Sequence, residues 1–167
     1  PDITYRRLLE DGTIPGDFNR TVEEITGSNY TGSGNLLALN GASDVRLNRL
    51  NFEAPGTNTG IDINGGSNNF IGNGTFTDIE TGIAANNSSA LRAVGHTFNN
   101  VNNGFSGDSV NDLNISNSEF DGLTTGVLVQ NSSNAQITQL DTLNTDTAVH
   151  LDGVTDFTVS GIQVETA

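Results

Sequence analysis

The chain has no cysteine, methionine, tryptophan or lysine. Without cysteine there are no disulfide staples and no thiolate metal sites. No run of about 18 apolar residues occurs, so no segment reads as a membrane span. The N-terminus also lacks the charged-then-apolar order of a signal peptide. The first residue is Pro1 and not methionine, so localisation has to be read from composition. Positive charge is scarce too. All six basic residues are arginine (Arg6, Arg7, Arg20, Arg46, Arg49 and Arg92), against twenty Asp plus Glu, for a net charge of −14. A surface of this sign repels a phosphate backbone, which argues against nucleic-acid binding. An acid-rich surface without lysine also suits strong brine, where carboxylates stay hydrated and salt screens their repulsion. The alternative is a small Asn-rich domain that drew few lysines by chance. A length of 167 residues suits one elongated domain with a real core.

What the chain does have is a repeat. Cut before Gly60, Gly82, Gly104, Gly126 and Ala148, the stretch 60–167 falls into segments of 22 residues with no gap between them, the last of which stops at Ala167. Stacked, the second position reads Ile61, Ile83, Phe105, Val127 and Val149, and the twelfth reads Ile71, Ala93, Ile115, Ile137 and Val159. The seventeenth reads Phe76, Phe98, Phe120, Thr142 and Val164. Apolar residues recurring by column mark a structural unit. The repeat reaches back to Leu37, with Leu37 against Ile61, Leu47 against Ile71 and Phe52 against Phe76. The offset there is 24, which places two extra residues in 54–59 and predicts an outward bulge that leaves the flanking strands in register.

Within each segment, short alternating pieces such as Val127-Leu128-Val129 are bounded by Asn, Gly, Ser and Asp. They are too short for antiparallel hairpins at this spacing, and no helical period runs between them. The remaining solution is a solenoid, in which each strand pairs in parallel with its equivalent one coil later, about 4.8 Å along the axis. Columns of Asn, Gly, Ser and Asp then make the bends through left-handed conformations and side-chain amides. Residues 1–36 do not follow the repeat and read as an N-terminal cap or linker segment. In it, 4–11 suits a short helix stopped at Gly12, while Ile14, Phe18, Val22 and Ile25 suit an irregular first coil or a loop. Residues 37–167 read as the solenoid.

This unit, a glycine followed by alternating aliphatics, a Asn/Gly/Ser-rich bend and a later phenylalanine, resembles the repeat of right-handed parallel β-helix proteins. That superfamily is pectate-lyase-like and includes polysaccharide lyases, glycoside hydrolases and the spikes of tailed viruses. The resemblance implies an all-β fold: a right-handed, single-stranded parallel β-helix (solenoid) of about six 22-residue coils with a short N-terminal helical or irregular cap. It says little about activity, because the repeat residues are those that build the coil.

Lyases of the superfamily use Arg or Lys as base and a cation, often calcium. Here Arg46 and Arg92 share an outward column but are separated by Phe70, and they read as isolated surface arginines. The hydrolases use clustered aspartates. Asp108 and Asp152 share one bend column and Asp112 and Asp156 another, each pair two coils or about 10 Å apart. Amides (Asn86, Gln130, Asn134) stand at neighbouring positions, as a turn-capping role would allow. These four aspartates are the candidate cation or glycan site, calcium being the cation that the resemblance brings in. No cofactor is otherwise expected. His96 and His150 lie in different columns, too far apart to share a metal. Seven Asn-x-Ser/Thr sequons are present, a number that an Asn-, Ser- and Thr-rich chain reaches by chance.

The last coil has no amphipathic cap, and an uncovered parallel edge invites pairing with another chain. The expected partners are therefore further copies, a trimer among them, or other virion proteins, together with a host surface glycan. The first reading is a structural and adhesive projection on the outside of a virion, plausibly in a halophilic system. The second is a secreted polysaccharide hydrolase or lyase, or a carbohydrate-binding β-helix derived from one. A repeat segment of a cell-surface protein comes third.

Overall fold

The computed structural model describes residues 13–15, 25–27, 29–32 and 34–166. The helix expected at 4–11 and the positions of Phe18 and Val22 lie outside these. Every strand pairing among the described residues is parallel, and each joins a strand to its counterpart in the next coil. No helix occurs among them. The columns read from the sequence are the observed registers: Ile61 faces Ile83, Ala93 faces Ile115, and Phe98 faces Phe76 and Phe120. Short strands at Thr13–Pro15, Ile25–Thr26 and Asn29–Tyr30 pair with the coil of residues 37–52, so a partial turn precedes Leu37.

The coil 82–103 shows how the sequence makes corners. Its buried inward residues are Ile83, Ala85, Ser88, Leu91, Ala93, His96, Phe98 and Val101. A strand that only alternates would space them by two. Wherever the spacing is three, the residue just before the next inward one is left-handed: Asn87, Ala90, Gly95 and Asn100, with φ of 51°, 49°, 74° and 52°. One left-handed residue thus adds a position and turns the chain. The cost of that conformation for most side chains explains why Asn, Asp and Gly fill these columns.

A file of stacked rings runs through the core. Tyr30, Phe52, Phe76, Phe98 and Phe120 follow one another at centroid separations of 4.8–4.9 Å, close to the spacing of the coils. The glycines that open each repeat make room for it. A Cβ on Gly60 would lie 2.8 Å from the Phe76 ring and 2.6 Å from the Gly82 carbonyl oxygen. Ala148 takes this position in the last coil.

The two-residue insertion lies where expected, with pairing that slips between Glu53 and Thr59 and resumes in register on both sides. It is not simply extruded, however. Ala54 and Asn58 are buried, and Asn58 Nδ2 donates to the Ala54 and Pro55 carbonyls at 3.1 and 3.3 Å while its Oδ1 accepts from the Gly34 N–H. An inward amide can satisfy a bulge's loose backbone groups, which an outward loop would leave to water.

Candidate functional site

Three outward features stand out on a scaffold whose inward residues are spoken for. The first contains two of the four candidate aspartates. Asn40, Asn64, Asn86, Asp108, Gln130 and Asp152 form one row across the first side of six coils, each paired in register with the next. All are exposed or half-buried. Asp108 Oδ1 accepts from Asn131 Nδ2 at 2.8 Å, and Gln130 Nε2 approaches Asp152 Oδ2 at 3.5 Å.

Asp112 and Asp156 belong to a different row, with Asp44, Asn68, Ala90 and Asn134, and all six are left-handed corner residues. Asp112 Oδ1 accepts from Asn134 Nδ2, as Asp44 Oδ1 does from Asn68 Nδ2 one coil later. Asp112 and Asp156 thus also hold corners of the coil. The structure therefore brings the four aspartates into two separate rows, each pair interrupted by an amide. Among the described residues, no group of three or more His, Asp or Glu side chains is placed to hold a metal ion.

The second feature is one that reasoning from the sequence missed. A groove of about 370 Å³ runs over the outer face of the phenylalanine file, bordered by Glu119, Asp121, Asp141, Leu143, Gln163 and Glu165. Register puts Glu119 directly beside Asp141, and Asp121, Leu143 and Glu165 in one column. The signal was available in the sequence: the positions flanking the phenylalanine column are Thr75, Thr77, Thr97 and Asn99 in two successive coils, and four of the next six, Glu119, Asp121, Asp141 and Glu165, are acidic.

The third feature overturns the reading of Arg46 and Arg92 as isolated. Phe70 does not separate them; it joins them. The Arg46 guanidinium lies 4.7 Å from the Phe70 ring centroid and that of Arg92 5.9 Å, making an exposed Arg–Phe–Arg stack.

His96 is core and not surface. Its Nδ1 accepts from the Gly74 N–H at 3.0 Å, so the neutral ring's proton sits on the buried Nε2. Burial lowers its pKa from 6.5 to about 4. His150 is exposed in the outward position beside the Asn/Asp row.

Comparison with known proteins supports the architecture. A family model for the right-handed beta helix region matches residues 17–165. No curated protein gives a significant match. Among solved structures, a trypsin-treated variant of QnrB1, a plasmid-mediated fluoroquinolone resistance protein, is similar over 88% of this chain and 90% of its own, at 13% identity and a TM-score of 0.23. An overlap that slight bears on neither fold nor function.

Proposed function

We propose that this chain, which belongs to the right-handed β-helix family, is a stiff adhesive projection on a virion surface that holds host glycans along one outward row. The observation that carries the reading is the unbroken row Asn64, Asn86, Asp108, Gln130 and Asp152. Amides and carboxylates repeated about every 4.8 Å present paired donors and acceptors to neighbouring sugar hydroxyls. The parallel ladder fixes their backbone, so little ordering is left for binding to bring about. A net charge of −14 disfavours polyanionic chains, so the glycan class is neutral or amino-substituted.

A glycan array probed with the chain and with Asn86→Leu/Gln130→Leu tests this. Binding to neutral or amino glycans that drops by about tenfold or more in the variant, a change of about 1.4 kcal/mol, supports the reading. No binding, or unchanged affinity in the variant, overturns it. Presence of the chain in purified particles at a fixed copy number tests the virion part.

One observation favours a polysaccharide hydrolase as the second reading. Glu119 and Asp141 face each other across adjacent coils, about 4.8 Å between backbones. A pair of neighbouring carboxyl groups is what retaining glycoside hydrolysis uses. Release of reducing ends from a polysaccharide, lost in Glu119→Gln, would establish it.

A further inference from the structure

The groove and the arginine stack share a geometry because both are built on the same repeat. Arg46, Phe70 and Arg92 occupy one column on three successive coils. Asp121, Leu143 and Glu165 occupy one column on three other successive coils. One reads cation, apolar, cation; the other reads anion, apolar, anion. Each has its charges two coils apart, about 10 Å. We infer that a second copy of this chain docks in the groove, with its Arg46, Phe70 and Arg92 set against Asp121, Leu143 and Glu165.

Three considerations support this partner. Stacking on Phe70 holds both guanidinium groups over the ring while their N–H edges remain available, which suits a bidentate carboxylate contact. Phe70 and Leu143 are each only half-buried within one chain, so closing the contact removes apolar area from water between the charged ends. The charge of the described surface disfavours most other arrangements. Two molecules of charge −14 repel in most orientations, and the described arginines, Arg46, Arg49 and Arg92, all lie exposed in the coils around Phe70. Among the described residues, an orientation that brings this patch onto carboxylates is the one that reverses the repulsion. The two columns lie on either side of a corner of the coil, so the contact is heterologous: the patch of one chain fills the groove of the next. The faces involved are distinct from the glycan row. A groove filled by a neighbour would, however, exclude a polymer substrate, so this inference and the hydrolase reading compete.

Exposed ion pairs are individually weak, so the association should be modest and strongly salt-dependent. Sedimentation of the chain at about 0.02 M ionic strength and at about 1 M, where the Debye length falls to about 3 Å, should show associated chains in the first and monomers in the second. Arg46→Glu/Arg92→Glu and Asp121→Arg/Glu165→Arg should each be monomeric at low salt, since like charges then face each other. Mixing the two should restore association, because both contacts become complementary again. A chain that is monomeric at low salt, an association that salt does not weaken, or a mixture that stays monomeric would each overturn the proposal. These positions are exposed, and far-ultraviolet circular dichroism checks that each variant keeps its sheet. Were a variant to unfold, the salt dependence of the unaltered chain would still decide.

Discussion

Two single residues show how tightly the coil constrains its side chains. A methyl group on Gly60 meets the Phe76 ring on one side and the backbone of the next coil on the other, and only the ring can shift. Gly60→Ala should therefore destabilise the fold by about 1–3 kcal/mol, the range for overpacking a close-packed core, measurable by urea unfolding. Ala148→Gly, at the same position where no further coil lies over it among the described residues, should change stability by under about 1 kcal/mol. His96 gives a pH signature. Folded, it titrates near 4; unfolded, near 6.5. Between those values the unfolded chain binds more protons, so stability is full above about pH 6.5 and is lost progressively as pH falls towards 4, by about 3 kcal/mol in all. Ser118 Oγ already accepts from the backbone N–H of residue 96, just as His96 Nδ1 accepts from the backbone N–H of Gly74. His96→Ser can keep that bond, and it should flatten the stability profile between pH 4 and 6.5. A slope that survives the substitution would assign the effect to the carboxylates.

At the scale of the coil, burial and corner geometry predict opposite sensitivities for residues of similar appearance. Phe98 is fully buried between Phe76 and Phe120, whereas Phe157, inward-facing in the last coil, is 55% exposed. Phe98→Ala should cost about 3–5 kcal/mol and Phe157→Ser less than about 1, compared by the same urea titration. The corner rows should tolerate Asn134→Gly but lose about 1–2 kcal/mol with Asn134→Val, because a β-branched side chain resists the left-handed conformation. Much of this was legible in the sequence, since a gapless 22-residue period fixes which residues meet, and the Phe and Ile columns report the inward face directly. Three things were not. The strands at 13–15, 25–26 and 29–30 pair at offsets of 25, 22 and 22 residues, so no constant period reveals them. Asn58 is buried because an insertion's backbone must be bonded, which column patterns do not express. The groove and the arginine stack arise between outward residues on neighbouring coils. Within its column Phe70 reads as an interruption between Arg46 and Arg92, yet its difference from them is what makes the contact.

For the whole molecule, the surface charge and the proposed interface respond to salt in opposite directions, which allows them to be separated. Glu119 beside Asp141 is a like-charge pair set directly across two parallel strands, an arrangement that destabilises by about 0.2–1 kcal/mol when unscreened. Twenty acidic residues against six arginines add a diffuse repulsion that unfolding relieves. Chloride salt shortens the range of both, so the melting temperature should rise between about 0.05 and 1 M KCl if the acidic, lysine-free surface is an adaptation to brine. Asp141→Asn removes the facing pair; it should raise the low-salt melting temperature by about 1–5 °C and reduce the gain from salt. Self-association would complicate the measurement, because an assembly present only at low salt stabilises the folded state there and masks the rise. The Arg46→Glu/Arg92→Glu variant removes that complication by remaining monomeric throughout. In that background a melting temperature that climbs with KCl supports salt adaptation, and one that stays flat or falls removes it.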